Sequence, residues 1–175
     1  MRYIGGKESL LNFIESVIKE KEIKAKSFAD IFTGTAVVAK YFKSKNYSII
    51  TNDILYFSYL IQKTYIQNNT VPEFKKLGKN IEDIYEELNQ LKGTKNYFYN
   101  QYAPSGQYNR MYLTDKNAAK IDSSQSKIFR WKKENKISDL EEIILRCSLV
   151  ESVPFVSNIS GTYGAFLKKW DKRAF

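Results

Sequence analysis

The chain contains no histidine, a single cysteine and only three prolines in 175 residues. Without histidine there is no imidazole base, no Ser-His triad and no His-ligated metal site. One cysteine, Cys147, excludes an internal disulfide and fits a reducing compartment. It lies in an apolar helical stretch and is expected to be a core residue. No run is long or apolar enough to span a membrane, and the start lacks the apolar core of a signal peptide. The prolines, Pro72, Pro104 and Pro154, follow Val71, Ala103 and Val153, so no Pro-Pro pair exists. Glycine is sparse too, at eight residues. Only Gly34 sits in the turn after the first strand, where a dinucleotide site uses G-x-G-x-x-G, and the phosphate loop G-x-x-x-x-G-K-[ST] is absent.

What is present in excess is positive charge. Lys and Arg number 28 against 19 Asp and Glu, a formal net of +9. Residues 92–136 hold ten Lys or Arg and three Asp or Glu, a local net of +7. The same stretch carries Tyr97, Phe98, Tyr99, Tyr102, Tyr108, Tyr112 and Trp131. Cations neutralise phosphates and aromatic faces stack on exposed bases, which makes this a candidate nucleic-acid surface. Tyrosines also fill cores with their hydroxyls at the edge, which is the structural alternative.

Hydrophobic periodicity organises the first seventy residues. Leu10, Phe13, Ile14, Val17 and Ile18 recur at helical spacing within 9–21, as in an amphipathic helix packed on a sheet. Residues 27–32 read as a buried strand and Thr33-Gly34-Thr35 as a turn. Residues 36–44 read as a helix, 47–51 as a second strand and 55–67 as a third helix. This order predicts an α/β unit with a parallel sheet. Two strands make an incomplete sheet of this kind. Beyond residue 70 the pattern changes. Residues 81–91 are helical and 93–113 irregular. Thr114 caps a helix to about Glu134, and the capping box Ser138-Asp139-Leu140-Glu141 starts another to about Glu151.

Three short pieces carry chemistry. Gly34 lies in the turn that follows the first strand at the carboxyl edge of the sheet, where doubly wound folds bind nucleotides, and the helix after Thr35 offers free N–H groups. Asp53 follows nineteen residues later, at the end of the second strand. A carboxylate there can accept hydrogen bonds from both ribose hydroxyls, or it can cap the next helix. At the start, Gly5-Gly6 precedes Lys7, whose cation can meet a carboxylate. A lone turn glycine, a cap and an ordinary turn are the bland readings of the three.

Taken together, Arg2-Tyr3-Ile4-Gly5-Gly6-Lys7, Ala29-Asp30-Ile31-Phe32-Thr33-Gly34-Thr35-Ala36 and Thr51-Asn52-Asp53 resemble the cofactor half of the Dam-like, D12-class DNA adenine-N6 methyltransferases. The resemblance implies an S-adenosylmethionine site formed by Tyr3, Lys7, Asp30, Phe32, Thr33, Gly34, Thr35 and Asp53. It departs from the family at Ala36, where the family's turn has a second glycine. Residues 96–100, 110–114, 117–122 and 161–168 are similar to one branch's target-recognition region. By that similarity Arg110, Lys120, Lys127, Arg130, Lys132 and Lys133 are candidate contacts to DNA phosphates or bases.

The implied fold is a partial Rossmann-like methyltransferase sheet with an attached, mainly helical, basic recognition subdomain. The implied divisions are residues 1–70, which bind cofactor, 71–167, which recognise the target, and 168–175, which return to the catalytic domain. The implied reaction transfers methyl from S-adenosylmethionine to adenine N6 in double-stranded DNA, within a bacterial, cytoplasmic restriction–modification system. The family's catalytic Asp-Pro-Pro-Tyr tetrapeptide is absent from this chain. No catalytic residue is therefore assigned, no metal is implied, and little activity is expected of the chain alone. A companion segment carrying the tetrapeptide is the implied partner. Two alternatives stay open: a non-catalytic DNA-binding remnant, and a nucleotide-dependent oxidoreductase, which the lone Gly34 and the basic stretch disfavour.

Overall fold

The computed structural model describes residues 6–160 and 164–175. The chain divides between Asn69 and Thr70 into two compact units. Tyr3 and the Gly161-Thr162-Tyr163 stretch lie outside the described residues.

In the first unit, helix α1 (Leu11–Glu20) follows a short 3-10 turn. Strands β1 (Ser27–Asp30) and β2 (Ser48–Thr51) pair in parallel, with Asp30 opposite Thr51. The crossover between them is helix α2 (Val37–Ser44). Alternation sends Phe28 and Asp30 to the face that α2 covers. There Phe28 stacks on Phe42 with ring centroids 4.1 Å apart, and Tyr47 meets the edge of Phe42 at 5.3 Å. Val38, Ala39 and Phe42 are buried. The opposite face shows Ala29 and Ile50 to solvent. Helix α1 forms where its periodicity predicts, but none of its residues is buried, and Phe13 remains 66% exposed. It is not the closely packed helix that the pattern suggested.

Helix α3 (Tyr56–Ile61) passes directly into a π-helical stretch, Gln62–Gln67. Lys43 closes that end. Its ammonium donates to the carbonyls of Tyr65 and Ile66 at 2.8 Å and of Asn68 at 3.1 Å. These are the carbonyls that a helix terminus leaves without intrahelical donors.

The second unit is helical: α4 (Ile81–Gln90), α5 (Tyr97–Tyr102), α6 (Asp115–Lys133) and α7 (Asp139–Val156). The predicted caps are in place. Thr114 Oγ1 accepts from Asn117 N–H at 3.2 Å, and Ser138 and Glu141 form a reciprocal capping box. Cys147 is fully buried. Phe74, Ile84, Leu88, Ile128, Trp131, Ile137 and Leu145 make one core. Tyr99, Ala103, Leu113, Ala118 and Ile121 make a second.

Two predicted outlines change in this unit, and in the first unit the buried strand expected over 27–32 stops at Asp30 with Ser27 and Ala29 exposed. Residues 93–113 are not wholly irregular, because α5 forms within them. The cause is distant in sequence: the buried carboxylate of Asp122 accepts the N–H groups of Asn96, Phe98 and Tyr99 at 2.8 to 3.0 Å. It satisfies donors that a helix start leaves orphaned. Helix α7 runs past Glu151 and through Pro154 to Val156, since Val153 and Val156 pack on the second core. The last residues fold back onto this unit, where Asn158 Oδ1 accepts from Asp171 N–H at 2.8 Å and Asn117 donates to the Ala174 carbonyl at 2.8 Å.

Candidate cofactor and nucleic-acid sites

The end of β1, the turn after it and the end of β2 are tied together by a small set of hydrogen bonds. Thr33 is buried, and its hydroxyl lies 2.7 Å from the Asp30 carbonyl and 3.1 Å from that of Asn52. Its own N–H donates to the Asn52 carbonyl at 3.1 Å. Gly34 has a φ of +52°, and among the described residues beyond its chain neighbours no atom lies within 4 Å of the position a Cβ would take. The space beside the glycine is open. Its N–H donates to Asp53 Oδ2 at 2.8 Å, and Leu55 N–H donates to Asp53 Oδ1 at 2.9 Å. Each Asp53 oxygen keeps a lone pair for a further donor.

Asp30 stands at the other side of this turn. One of its carboxylate oxygens, Oδ2, is buried and has no hydrogen-bond partner among the described residues. Burial pushes its pKa upward, opposed by the charge of Lys7 and by a hydrogen bond from the Ala39 N–H, and reinforced by Asp53. The Ala39 N–H belongs to the first turn of α2, whose N-cap residue, Ala36, has no capping side chain. Asp30 therefore serves the helix start as well as facing the turn. A buried oxygen without a donor is costly unless something fills the place. The set of acceptors fits a cationic amine at Asp30 and vicinal hydroxyls at Asp53. Those are the functional groups at the methionine end and the ribose of S-adenosylmethionine.

Lys7, Asp30, Thr33, Gly34 and Asp53 are thus drawn to one edge of the sheet. Thr35 is half-buried in the same turn, while Phe32 is 81% exposed at its rim. Ala36 adopts φ 56° and ψ 22°, the left-handed region, and is fully buried. That is a conformation suited to glycine, and alanine bears a steric cost there.

The six predicted DNA-contact residues divide in two. Lys120 donates to the Asn89 carbonyl, Lys127 pairs with Glu87 at 2.8 Å and Lys132 pairs with Asp139. Arg110 lies over the Tyr108 ring, 4.9 Å from its centroid. Arg130 and Lys133 make no salt bridge among the described residues, and both line an open groove of about 810 Å³. Tyr97, Arg146, Gln125 and Phe129 line it too, together with the carboxylates of Asp122 and Glu134. Phe129, Gln125 and Arg146 were not singled out from sequence, although Gln125, Phe129 and Lys133 stand at four-residue spacing on one helix ridge. Tyr99 and Trp131, expected among the stacking aromatics, are instead core residues at 5% and 4% exposure. No group of three or more acidic, cysteine or histidine side chains that could hold a metal occurs among the described residues. No helix among them is long and apolar enough to cross a membrane.

The family described as D12 class N6 adenine-specific DNA methyltransferase matches residues 3–174. Type II methyltransferase M.FokI of Planomicrobium okeanokoites is 45% identical over 99% of this chain and 28% of its own length. Modification methylase LlaI of Lactococcus lactis subsp. lactis is likewise 45% identical over 99% of the chain and 28% of its own length. Type II methyltransferase M.NlaIII of Neisseria lactamica is 33% identical over 99% of the chain and 51% of its length. The chain therefore spans little more than a quarter of the first relatives and about half of the last. No solved structure matches it.

Proposed function

Because the chain belongs to the D12 class of N6 adenine-specific DNA methyltransferases, we propose that its first unit binds S-adenosylmethionine and its second unit binds double-stranded DNA. In this reading the two units are the cofactor and target-recognition parts of a restriction–modification enzyme. The observation that carries the first half is the buried Asp30 oxygen, without a partner among the described residues, beside an open turn that Asp53 holds.

The residues have distinct tasks. Asp30 receives the α-ammonium group, with Lys7 at hand for the α-carboxylate. Gly34 leaves room for close approach, and Thr33 pins the turn between the strand ends. Asp53 accepts the ribose hydroxyls on the lone pairs that Gly34 and Leu55 leave over. Tyr3, Phe32 and Thr35 complete the site on family resemblance. When bound, S-adenosylmethionine supplies a methyl group on a positive sulfonium, open to direct displacement by adenine N6. The chain's own residues bind and orient; they include no Asp-Pro-Pro-Tyr to position the target base. Base positioning of this kind is worth several kcal/mol of barrier, on the order of 7 or more when the geometry is ideal.

We therefore assign methyl transfer to this chain together with a companion segment that carries that motif. The solvent-facing Ala29 and Ile50 of the two-stranded sheet offer such a segment a place to pack. The test is transfer of a radiolabelled methyl group to duplex DNA by the chain alone and by the chain mixed with a C-terminal segment containing the motif. Transfer only in the mixture supports the assignment. No transfer by a folded mixture that binds both cofactor and DNA contradicts it and favours a non-catalytic DNA-binding remnant.

A further inference from the structure

The groove of the second unit combines two kinds of group. Arg130 and Lys133 make no salt bridge among the described residues, although the charge of Arg130 is felt by Glu134 in the same groove; the anions nearby have other hydrogen-bond or ion-pair partners. Glu134 pairs with Lys136 at 2.8 Å, Glu142 pairs with Arg146 at 2.8 Å, and Asp122 is used by three backbone N–H groups. The lining as a whole carries a net formal charge of +1, with Arg130, Lys133 and Arg146 set against Asp122 and Glu134. Tyr97 and Phe129 are each 58% exposed beside it. A lone exposed phenylalanine on a helix is ordinary. Here it stands between Gln125 and Lys133 on one ridge of α6, next to Arg130. From residue 125 to 133 that ridge is about 12 Å long, three to four base-pair steps of duplex.

Resting on the assignment of DNA as the partner, we propose that this ridge of α6 is a DNA-reading surface. Arg130 and Lys133 take phosphates, and Gln125 and Phe129 face base edges, Gln125 by hydrogen bonds and Phe129 by apolar contact. The major groove of B-DNA admits an α-helix, and amide and apolar side chains are suited to its edge pattern. Lys120, Lys127 and Lys132, held by internal partners, are outside this surface.

The test is fluorescence anisotropy of the full chain with a labelled duplex of mixed sequence, over a series of salt concentrations. Arg130→Ala and Lys133→Ala each weaken binding about three- to tenfold and flatten the slope of log affinity against log salt by about 1. Phe129→Ser weakens binding several-fold with the salt slope unchanged. Lys127→Ala and Lys132→Ala change the slope by much less. All five positions are at least partly exposed, and circular dichroism confirms that each variant is folded. Equal effects at all four cations would mean diffuse charge attraction and overturn the proposal. So would an unaffected Phe129→Ser variant, polyglutamate competing as well as duplex competes for the same ridge, or no duplex binding by the folded wild type. Titration of the same preparations with S-adenosylmethionine separates the two readings: retained cofactor binding leaves the first unit's assignment standing when the ridge assignment falls.

Discussion

Asp53 Oδ2 accepts the Gly34 N–H at 2.8 Å, joining residues nineteen apart in the chain across the ends of two parallel strands. The same carboxylate accepts Leu55 N–H at 2.9 Å through its other oxygen. Asp53 thus shapes the turn that it also helps to make into a binding site. Asp53→Ala is expected to cost about 1–3 kcal/mol of stability from the two lost hydrogen bonds. Urea denaturation measures that loss. An unchanged midpoint would show that the turn holds itself without Asp53.

Ala36 supplies a prediction of opposite sign. Its left-handed backbone costs an L-residue about 1–2 kcal/mol. Glycine relieves that strain but gives back about 0.4–1 kcal/mol through a freer unfolded chain. Ala36→Gly should therefore stabilise the first unit by roughly 0.5–1 kcal/mol. Denaturant melts of both proteins decide it; a destabilised glycine variant would contradict the strain argument. Because Ala36 is fully buried, larger β-branched replacements should fold poorly.

Asp30 separates stability from binding. Burial raises its carboxyl pKa in the folded chain. A group so shifted contributes stability that is full below its unfolded pKa of 3.8 and lost as pH rises through the folded value. At neutral pH the buried charge is a cost that a bound cation offsets. Asp30→Asn should leave the free chain at least as stable at pH 7 and yet weaken S-adenosylmethionine binding at least tenfold. Thermal melts and calorimetry on one preparation check both. A variant that binds as tightly as wild type would remove Asp30 from the site.

Glu15 on α1 makes the acid limb testable. The Tyr41 hydroxyl first, then Lys19, hold its pKa down to about 2 from 4.5. The stability it adds is present above pH 4.5 and is lost as pH falls from there toward 2. Glu15→Gln should flatten that part of the pH–stability curve and leave the curve above pH 6 parallel to wild type. Melts across that range would show a steep limb persisting if the Tyr41 contact were absent in solution.

What could be read from sequence was local. Apolar spacing located α1, α2, β1, β2, α4 and the long helices, and the Ser138 box and Thr114 cap marked two starts to the residue. The strand-end position of Asp53 and the turn at Gly34 pointed to one edge of the sheet. What could not be read depends on partners far along the chain. Helix α5 exists because Asp122 caps it from α6. Which lysines are free for a ligand depends on Glu87, Asp139 and the Asn89 carbonyl, each supplied by another segment. The strain at Ala36 is a backbone property, signalled in the sequence only by the alanine standing where the resembling family has a glycine. The packing of Tyr99 and Trp131 inside the cores was likewise invisible to a count of aromatics.

The central claim is that the first unit holds S-adenosylmethionine through Asp30 and Asp53. Isothermal titration of the 175-residue chain with S-adenosylmethionine, beside Asp30→Asn and Asp53→Ala, tests it most directly. The account predicts one-to-one binding by the wild type, at least tenfold weaker in either variant while circular dichroism stays unchanged. A folded wild type that takes up no S-adenosylmethionine, or variants that bind it equally well, would contradict the account.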